Sequence, residues 1–296
     1  MRKQNGFTLI ELLVVIAIIA LLLGVLVPAL NYAKVQATAI ICMSNLDGLT
    51  MGWVLYNEDN DQKVMGSRPH GANARSVEYY PAYPRGSATR EVWNFVGNPH
   101  DENGNDGNHG IEYAARGFRN GALWPYVESE KIFHCQSDKR YLKEPTKEAG
   151  HWANSTRGGY RSYSLGGVWN VDPSEGWDTG EERAVVYQMD EVVSPSHKMV
   201  FLEEYDSCGM NHNTFDFFLN TRSKWGDPFS VAHNNRSCFG FADGHAEKHE
   251  WKEESTRKMS EEGRKEYPLS PGEYQDIDWF REHYVPGKMP AAFRNV

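Results

Sequence analysis

Basic residues are in the minority in this chain of 296 residues: 31 Lys and Arg stand against 40 Asp and Glu, a net charge of −9. An acidic balance repels phosphates, which disfavours nucleic-acid partners. Signatures of catalysis are also missing. There is no Ser nucleophile elbow, no HExxH pair and no Gly-rich phosphate loop. Apolar residues are scarce outside one place. Of the first 30 residues 21 are apolar, whereas the rest of the chain holds about 36%, below the 45–50% usual for globular domains. A cytosolic Rossmann or barrel enzyme is disfavoured, because such folds spread their apolar runs along the chain. What remains is one apolar segment followed by a polar, acidic body, long enough for one large domain or two small ones.

Leu12 to Leu30 carries no charge. At 1.5 Å per residue it spans about 28 Å, close to the hydrocarbon core of a bilayer. Arg2 and Lys3 precede it, so the positive-inside rule places the N-terminus in the cytoplasm and the body outside. No second run of this length exists, which predicts a single crossing. A secretory signal peptide is one competing reading, with Ala37-Thr38-Ala39 as its cleavage site. The run is too long for that, and the site lies well past its end. A plain signal anchor is the other. Neither explains Glu11. A carboxylate at this depth costs several kcal/mol unless it is paired, and its near neighbours supply no cation. Cleavage between Gly6 and Phe7 would create one, the free amine of Phe7. Phe7 and Glu11 are four apart and share a helix face, so that amine could neutralise Glu11 in its own chain or in a neighbour.

The residues Gly6-Phe7-Thr8-Leu9-Ile10-Glu11-Leu12-Leu13-Val14-Val15-Ile16-Ala17 resemble the cleavage and methylation signature of type IV pilins and type II secretion pseudopilins. The resemblance implies that a prepilin peptidase cuts after Gly6 and methylates the amine of Phe7. Glu11 would then steer the subunit into a filament. Pro28 fits as well, since pilin helices often carry a proline at this depth. Physically it removes one backbone hydrogen bond and bends or locally melts the helix. Loss of the leader takes Arg2 and Lys3 with it and moves the net charge from −9 to −11.

The helix is expected to continue past the membrane. Val35, Ala39, Cys42, Leu46, Leu49, Trp53 and Tyr56 form a stripe at alternating spacings of four and three. Such a stripe packs on the body's own sheet in the simpler reading and on a second copy in the other. Gly48 and Gly52 weaken it. Asn57-Glu58-Asp59-Asn60-Asp61 ends the helix. Its oxygen ligands at every second residue suit calcium, but the glycine and final glutamate of a calcium loop are missing, so a solvated terminus is preferred. No other cofactor is implied.

Asn98 to Gly110 is nearly pure turn chemistry and reads as a long surface loop. Its carboxylates and histidines match no defined metal spacing. Short runs with strand character follow: Lys131–Cys135, Ser162–Leu165, Ala184–Tyr187 and Lys198–Leu202. They predict a meandering, mainly antiparallel sheet. The fold class is therefore α+β: a long N-terminal helix, transmembrane in one half and amphipathic in the other, packed on that sheet. The division is 1–6 leader, 7–30 transmembrane and assembly helix, 31–60 amphipathic continuation, 61–296 exported body. Within 252–296, Lys252 to Glu266 reads as a solvated helix and Asp276 to Tyr284 as a short helix docked on the body.

Asp243-Gly244 separates two strand-like runs, a strong hairpin signal because Gly accepts positive φ. His233 lies upstream with nine residues between. This H-x9-DG pattern, spanning 233–244, resembles the C-terminal domain of a large group of bacterial pilin-like proteins. Cys42-Met43-Ser44-Asn45-Leu46, Phe133-His134-Cys135-Gln136-Ser137-Asp138 and Val193-Ser194-Pro195-Ser196 fit the same group, although it more often has Cys-Pro where this chain has Cys135-Gln136. His233, Asp243, His245 and His249 invite a metal reading. In a strand His245 and His249 lie about 13 Å apart along one face, too far to share an ion. The preferred roles are structural, with Asp243 making the turn and His233 fixing the hairpin by a hydrogen bond. Four cysteines, Cys42, Cys135, Cys208 and Cys238, permit three pairings in an exported domain. Membership of the recognised motifs nominates Cys42–Cys135, which would pin helix to sheet.

Three functional readings follow. The first, from the resemblance, is a pilin or pseudopilin subunit, not an enzyme. Its partners would be prepilin peptidase, like subunits, the inner-membrane assembly platform and the bilayer. The second is a membrane-anchored or filament-displayed binding module for a glycan or other ligand, motivated by the size of the aromatic-rich body. The third is an exported metal-dependent hydrolase.

Overall fold

The computed structural model describes residues 8–67, 75–78, 90–104, 111–142, 160–170, 185–205, 214–263 and 266–289. Gly6, Phe7, Cys208 and part of the Asn98–Gly110 loop lie outside them. The first element, α1 (Leu9–Asp59), is a single helix of 51 residues. It begins at Thr8, whose hydroxyl accepts from the Glu11 N–H while the Glu11 carboxylate accepts from the Thr8 N–H. This reciprocal box satisfies two of the helix's orphan donors. The helix runs on through Pro28, so of the two expected effects, bending or local melting, melting does not occur. The missing N–H removes one bond, and the turns on either side hold.

The two halves of α1 meet different surroundings. From Leu9 to Leu30 the described side chains are exposed. From Ala39 onward one stripe is buried, comprising Ala39, Cys42, Leu46, Leu49, Trp53 and Tyr56. That is the expected stripe, and it lies on the body's own sheet. The sheet has five strands in the order β5-β3-β4-β6-β7. They are β3 (Tyr163–Gly166), β4 (Met199–Glu203), β5 (Thr214–Phe215), β6 (Arg236–Phe241) and β7 (Ala246–Glu250). All pairs are antiparallel except β3–β5, which is parallel. Two further strands, β1 (Arg75–Glu78) and β2 (Arg90–Trp93), pair separately.

The expected strand at Lys131–Cys135 is a 3₁₀ turn, Glu130–Phe133. Val186 of the Ala184–Tyr187 run makes one isolated bridge to Trp169. Apolar runs this short carry too little period to separate strand from turn. Three helices complete the described fold on the C-terminal side of α1. They are α2 (Ile111–Arg119), α4 (Glu254–Glu262) and α5 (Gln275–Tyr284), with a short α3 (Trp124–Val127) between the first two. Only part of α4 is solvated, since Ser255, Thr256, Met259 and Ser260 are buried on one side. The expected docking of the last helix is observed through Ile277, Phe280 and Tyr284.

Alternation along β6 serves both faces of the sheet. Cys238 and Gly240 face α1. Phe239 faces an aromatic cluster with Trp251, Trp279 and Phe280. Trp53, Trp169, Trp225 and Trp251 are all fully buried. These aromatics therefore fill the core and present no stacking face to a ligand.

Gly240 is where α1 comes closest. A Cβ built there would lie 2.4 Å from Thr50 Cγ2. Thr50 is held in place, because its hydroxyl oxygen lies between Leu46 O at 2.8 Å and Gly244 O at 2.9 Å and shares its one hydrogen between them. Gly52 plays the same part against α3, with Val127 Cγ1 at 2.9 Å. The helix glycine that looked like a weakness is a packing position. Gly240→Ala should therefore destabilise the full chain by about 1–3 kcal/mol. Gly24→Ala, where a new Cβ meets nothing within 4 Å, should be neutral. Thermal unfolding of both variants in detergent checks the contrast.

Candidate functional site

Two regions draw together the residues singled out above. The first is the bare half of α1. Both hydrogen bonds from Thr8 go to the same oxygen of Glu11, Oε2, at 2.9 and 2.7 Å. The carboxylate thus has a local, uncharged partner in Thr8. One helix among the described residues is long and apolar enough to cross a membrane, and its most apolar stretch is not covered by the protein.

The second region lies where α1 enters the body. Three short motifs far apart in the chain meet there. Cys42 and Asn45 sit one turn apart on α1. Asn45 Nδ2 donates to His134 O at 3.1 Å and to the Tyr163 hydroxyl at 3.4 Å. This brings the helix onto the turn that carries Cys135. That turn is built by Asp138. Its N–H donates to Cys135 O at 2.9 Å, and its carboxylate accepts from Arg140 Nε at 2.9 Å and Nη2 at 2.6 Å. Ser162, just before β3, donates to the same carboxylate at 2.7 Å. Desolvation works against the Asp138 charge, but the Arg140 guanidinium and these hydrogen bonds outweigh it and hold the carboxyl below its usual range.

His233 arrives from the loop before β6. Its Nε2 lies 2.9 Å from Glu203 Oε1 and 3.6 Å from Cys135 Sγ. The expected hydrogen bond from His233 to the hairpin is replaced by these two contacts, because the imidazole is buried beside the end of β4, away from the turn. Cys42 Sγ, Cys135 Sγ, a Glu203 oxygen and a His233 nitrogen all lie within 4.8 Å of one another, and all four residues are buried. The other Glu203 oxygen accepts from the Cys238 N–H at 2.8 Å, which fixes the carboxylate. Burial alone would lower the His233 pKa. The contacts with Cys135 and Glu203 override it and raise the pKa to about 10. The Cys135 thiol is pushed well up by its contact with Cys42, by burial and by the Glu203 charge.

The Cys42–Cys135 bond nominated above would join two sulfurs that lie within 4.8 Å of each other. Both residues are free thiols in the structure, as is Cys238. A Cys–His–Glu relay is not present. Such a relay needs the carboxylate on the imidazole nitrogen opposite the nucleophile. Here both partners share Nε2, and Nδ1 is buried without a hydrogen-bond partner.

Asp243-Gly244 makes the hairpin turn between β6 and β7, with Gly244 at φ +100°. Asp243 Oδ1 lies 2.5 Å from His245 Nδ1. The turn also meets α1 through Gly244 O and Thr50. His249 stands apart from this turn, stacked on Trp279 with ring centroids 3.5 Å apart. Burial among these rings pushes its pKa down to about 4. At the end of α1, Asn57 is buried and its carbonyl accepts from the N–H groups of Asn60 and Gln62. Asp59 accepts from the Tyr126 hydroxyl at 3.1 Å. Sequence reasoning missed Glu203 and the Asp138–Arg140 pair. A visible signal for Glu203 was a carboxylate closing the apolar run Met199–Leu202.

The bare helix half decides which known proteins the chain resembles. Residues 1–27 match the family profile of the prokaryotic N-terminal methylation motif. The N-terminal segment is of the prepilin type. Over 61 residues the chain is 44% identical to the type IV wide pilus major component PilA4 of Thermus thermophilus. That stretch is 21% of this chain and 47% of the relative, so the chain spans about half the length of the protein it matches. No solved structure matches the chain. The matched profile ends at residue 27, well before His233, Asp243 and Gly244.

The Asp138 pair carries a prediction. Its folded pKa is depressed, so its contribution to stability is fully present above the unfolded carboxylate value near 3.9 and is lost as pH falls through the folded pKa. Asp138→Asn leaves the buried Arg140 charge uncompensated and should cost about 3–5 kcal/mol at neutral pH. It should also flatten the acid limb. Thermal midpoints of both proteins between pH 7 and pH 2 test this.

Proposed function

We propose that the chain is a pilin-like subunit assembled through α1 into a type IV pilus or a type II secretion pseudopilus. The observation that carries this is the bare apolar half of α1, continuous with a prepilin-type methylation motif. An apolar surface of this extent needs a cover. In the bilayer lipid supplies it, and in a filament the same half of neighbouring copies would. A helix that contacts copies of itself head to tail makes a heterologous contact, which propagates instead of closing.

In this reading a prepilin peptidase removes residues 1–6 and methylates Phe7, and an inner-membrane platform adds the subunit to the filament. The N-terminus begins in the cytoplasm and the body lies outside. The Thr8–Glu11 box survives cleavage, because it needs only the Thr8 N–H and hydroxyl. Both Thr8 bonds fall on Oε2, which leaves Oε1 to pair with the new amine of Phe7 or of a neighbour. The work is assembly and not chemistry.

Intact mass and N-terminal peptide analysis of membrane-extracted protein should find a chain starting at N-methylated Phe7. A chain starting after Ala39 would replace the proposal with ordinary secretion. Glu11→Ala should leave expression and cleavage unchanged. Truncating one partner of a buried charge pair costs roughly 2–5 kcal/mol, so incorporation into filaments should fall by at least about tenfold. Normal incorporation of this variant would remove Glu11 from the mechanism.

A further inference from the structure

Cys42, Cys135, Glu203 and His233 bring four buried ligand atoms within 4.8 Å of one another. We propose that these four residues form a closed binding site for a divalent, borderline-soft metal ion of the zinc type. The inference stands whether or not the chain assembles into filaments.

The donor set is the first argument. Two sulfurs, an imidazole nitrogen and a carboxylate oxygen are the ligand types zinc takes, and four protein ligands make a structural site with no open position. Sulfur ligands select against magnesium and calcium. Geometry is the second. A tetrahedron with Zn–N and Zn–O of about 2.0 Å and Zn–S of about 2.3 Å has an N···S edge of about 3.5 Å and an N···O edge of about 3.3 Å. The structure places His233 Nε2 3.6 Å from Cys135 Sγ and 2.9 Å from Glu203 Oε1. All four ligand atoms fall within 4.8 Å of one another, so closing on an ion asks for movements of no more than about 1 Å against a sulfur–sulfur edge near 3.8 Å.

The surrounding residues are the third argument. Three of the four ligands are held by supports of their own. The Cys238 N–H fixes the far oxygen of Glu203, Asp138 holds the Cys135 turn, and Asn45 ties the Cys42 turn of α1 to His134. Outer contacts of this kind orient the ligands of a metal site. On binding, the ion displaces the protons of both thiols and of His233 Nε2, and these leave to solvent. No bond to carbon changes and nothing is oxidised. The result is a non-covalent clamp between α1, the Cys135 turn, β4 and the loop before β6.

The test uses the full chain, extracted in detergent without chelator. Metal analysis should find about one zinc per chain. Exchange with cobalt(II) should give the near-ultraviolet thiolate-to-cobalt band and the visible bands of a tetrahedral ion. Stripping with a chelator should lower the thermal midpoint, and zinc should restore it where magnesium does not. Cys42→Ser and Glu203→Gln should each weaken cobalt affinity by more than the roughly 10–100-fold of an outer-shell change. The wild-type spectrum decides the matter even if a variant fails to fold. Three results would overturn the proposal: a native Cys42–Cys135 disulfide in non-reducing peptide maps, a reduced protein that takes up no cobalt, or bound cobalt without thiolate bands.

Discussion

The rest of the structure depends on the close approach of α1 to β6 at Gly240. Helix and sheet meet there with no side chain between them except Thr50 and Leu46. That proximity puts Thr50 within reach of the hairpin carbonyl of Gly244 and lets Cys238 face Ala39. It also makes the lower half of α1 the central element of the body's core. Trp53 of the helix meets Trp169 edge to face, and Cys42, Leu46, Leu49 and Trp53 share one continuous apolar cluster with β3, β4 and β6. The body cannot keep this core without the helix, because about five turns of its buried face come from α1. The helix with the bare apolar half is therefore also the helix that completes the core.

Much of this was legible in short windows of sequence. The stripe from Ala39 to Tyr56 announces a helix with one buried face, since apolar residues at 3.6-residue spacing have no other use in a polar chain. Asp243-Gly244 announces a hairpin because few residue pairs tolerate the backbone it needs. The last helix was visible for the same reason as the first. The failures share a cause. At Lys131–Cys135 the apolar run is too short to carry a period. In α1, Gly52 read as a flaw because helix propensity describes an isolated helix, whereas its role is set by Val127 on another element.

The buried cluster was half legible. Cys42, Cys135 and His233 each stood in a motif, but the two cysteines were paired only with each other and His233 was weighed within its own segment. His233 was compared with His245 and His249, its neighbours in sequence. Its neighbours in space are Cys135 and Glu203, separated from it by 98 and 30 positions. No spacing rule links such residues, because the connection runs through the sheet register. β4 and β6 pair antiparallel, which brings the end of one strand to the start of the other. The H-x9-DG spacing acquires a physical meaning in the same way. The nine intervening residues contain β6, and both ends of the motif contact groups held on α1 or at its base: His233 at the Cys42 cluster and Gly244 at Thr50.

The position of that cluster along α1 matters more than its chemistry alone. Opening of a packed helix starts at the ends of its contact, where the fewest buried residues hold it. On α1 the contact begins at Ala39, and Cys42 is the next fully buried position. The bare half lies immediately before it. Any force carried along that half reaches the body first at these turns. Apolar contacts resist such peeling weakly, because each one opens separately. Asn45, the Asp138 turn and the Cys42–Cys135–Glu203–His233 cluster hold three chain segments to α1 at this one place. A chain whose long helix is bare in one half and core in the other needs its firmest attachment where the two halves meet, and the polar cluster lies at that point.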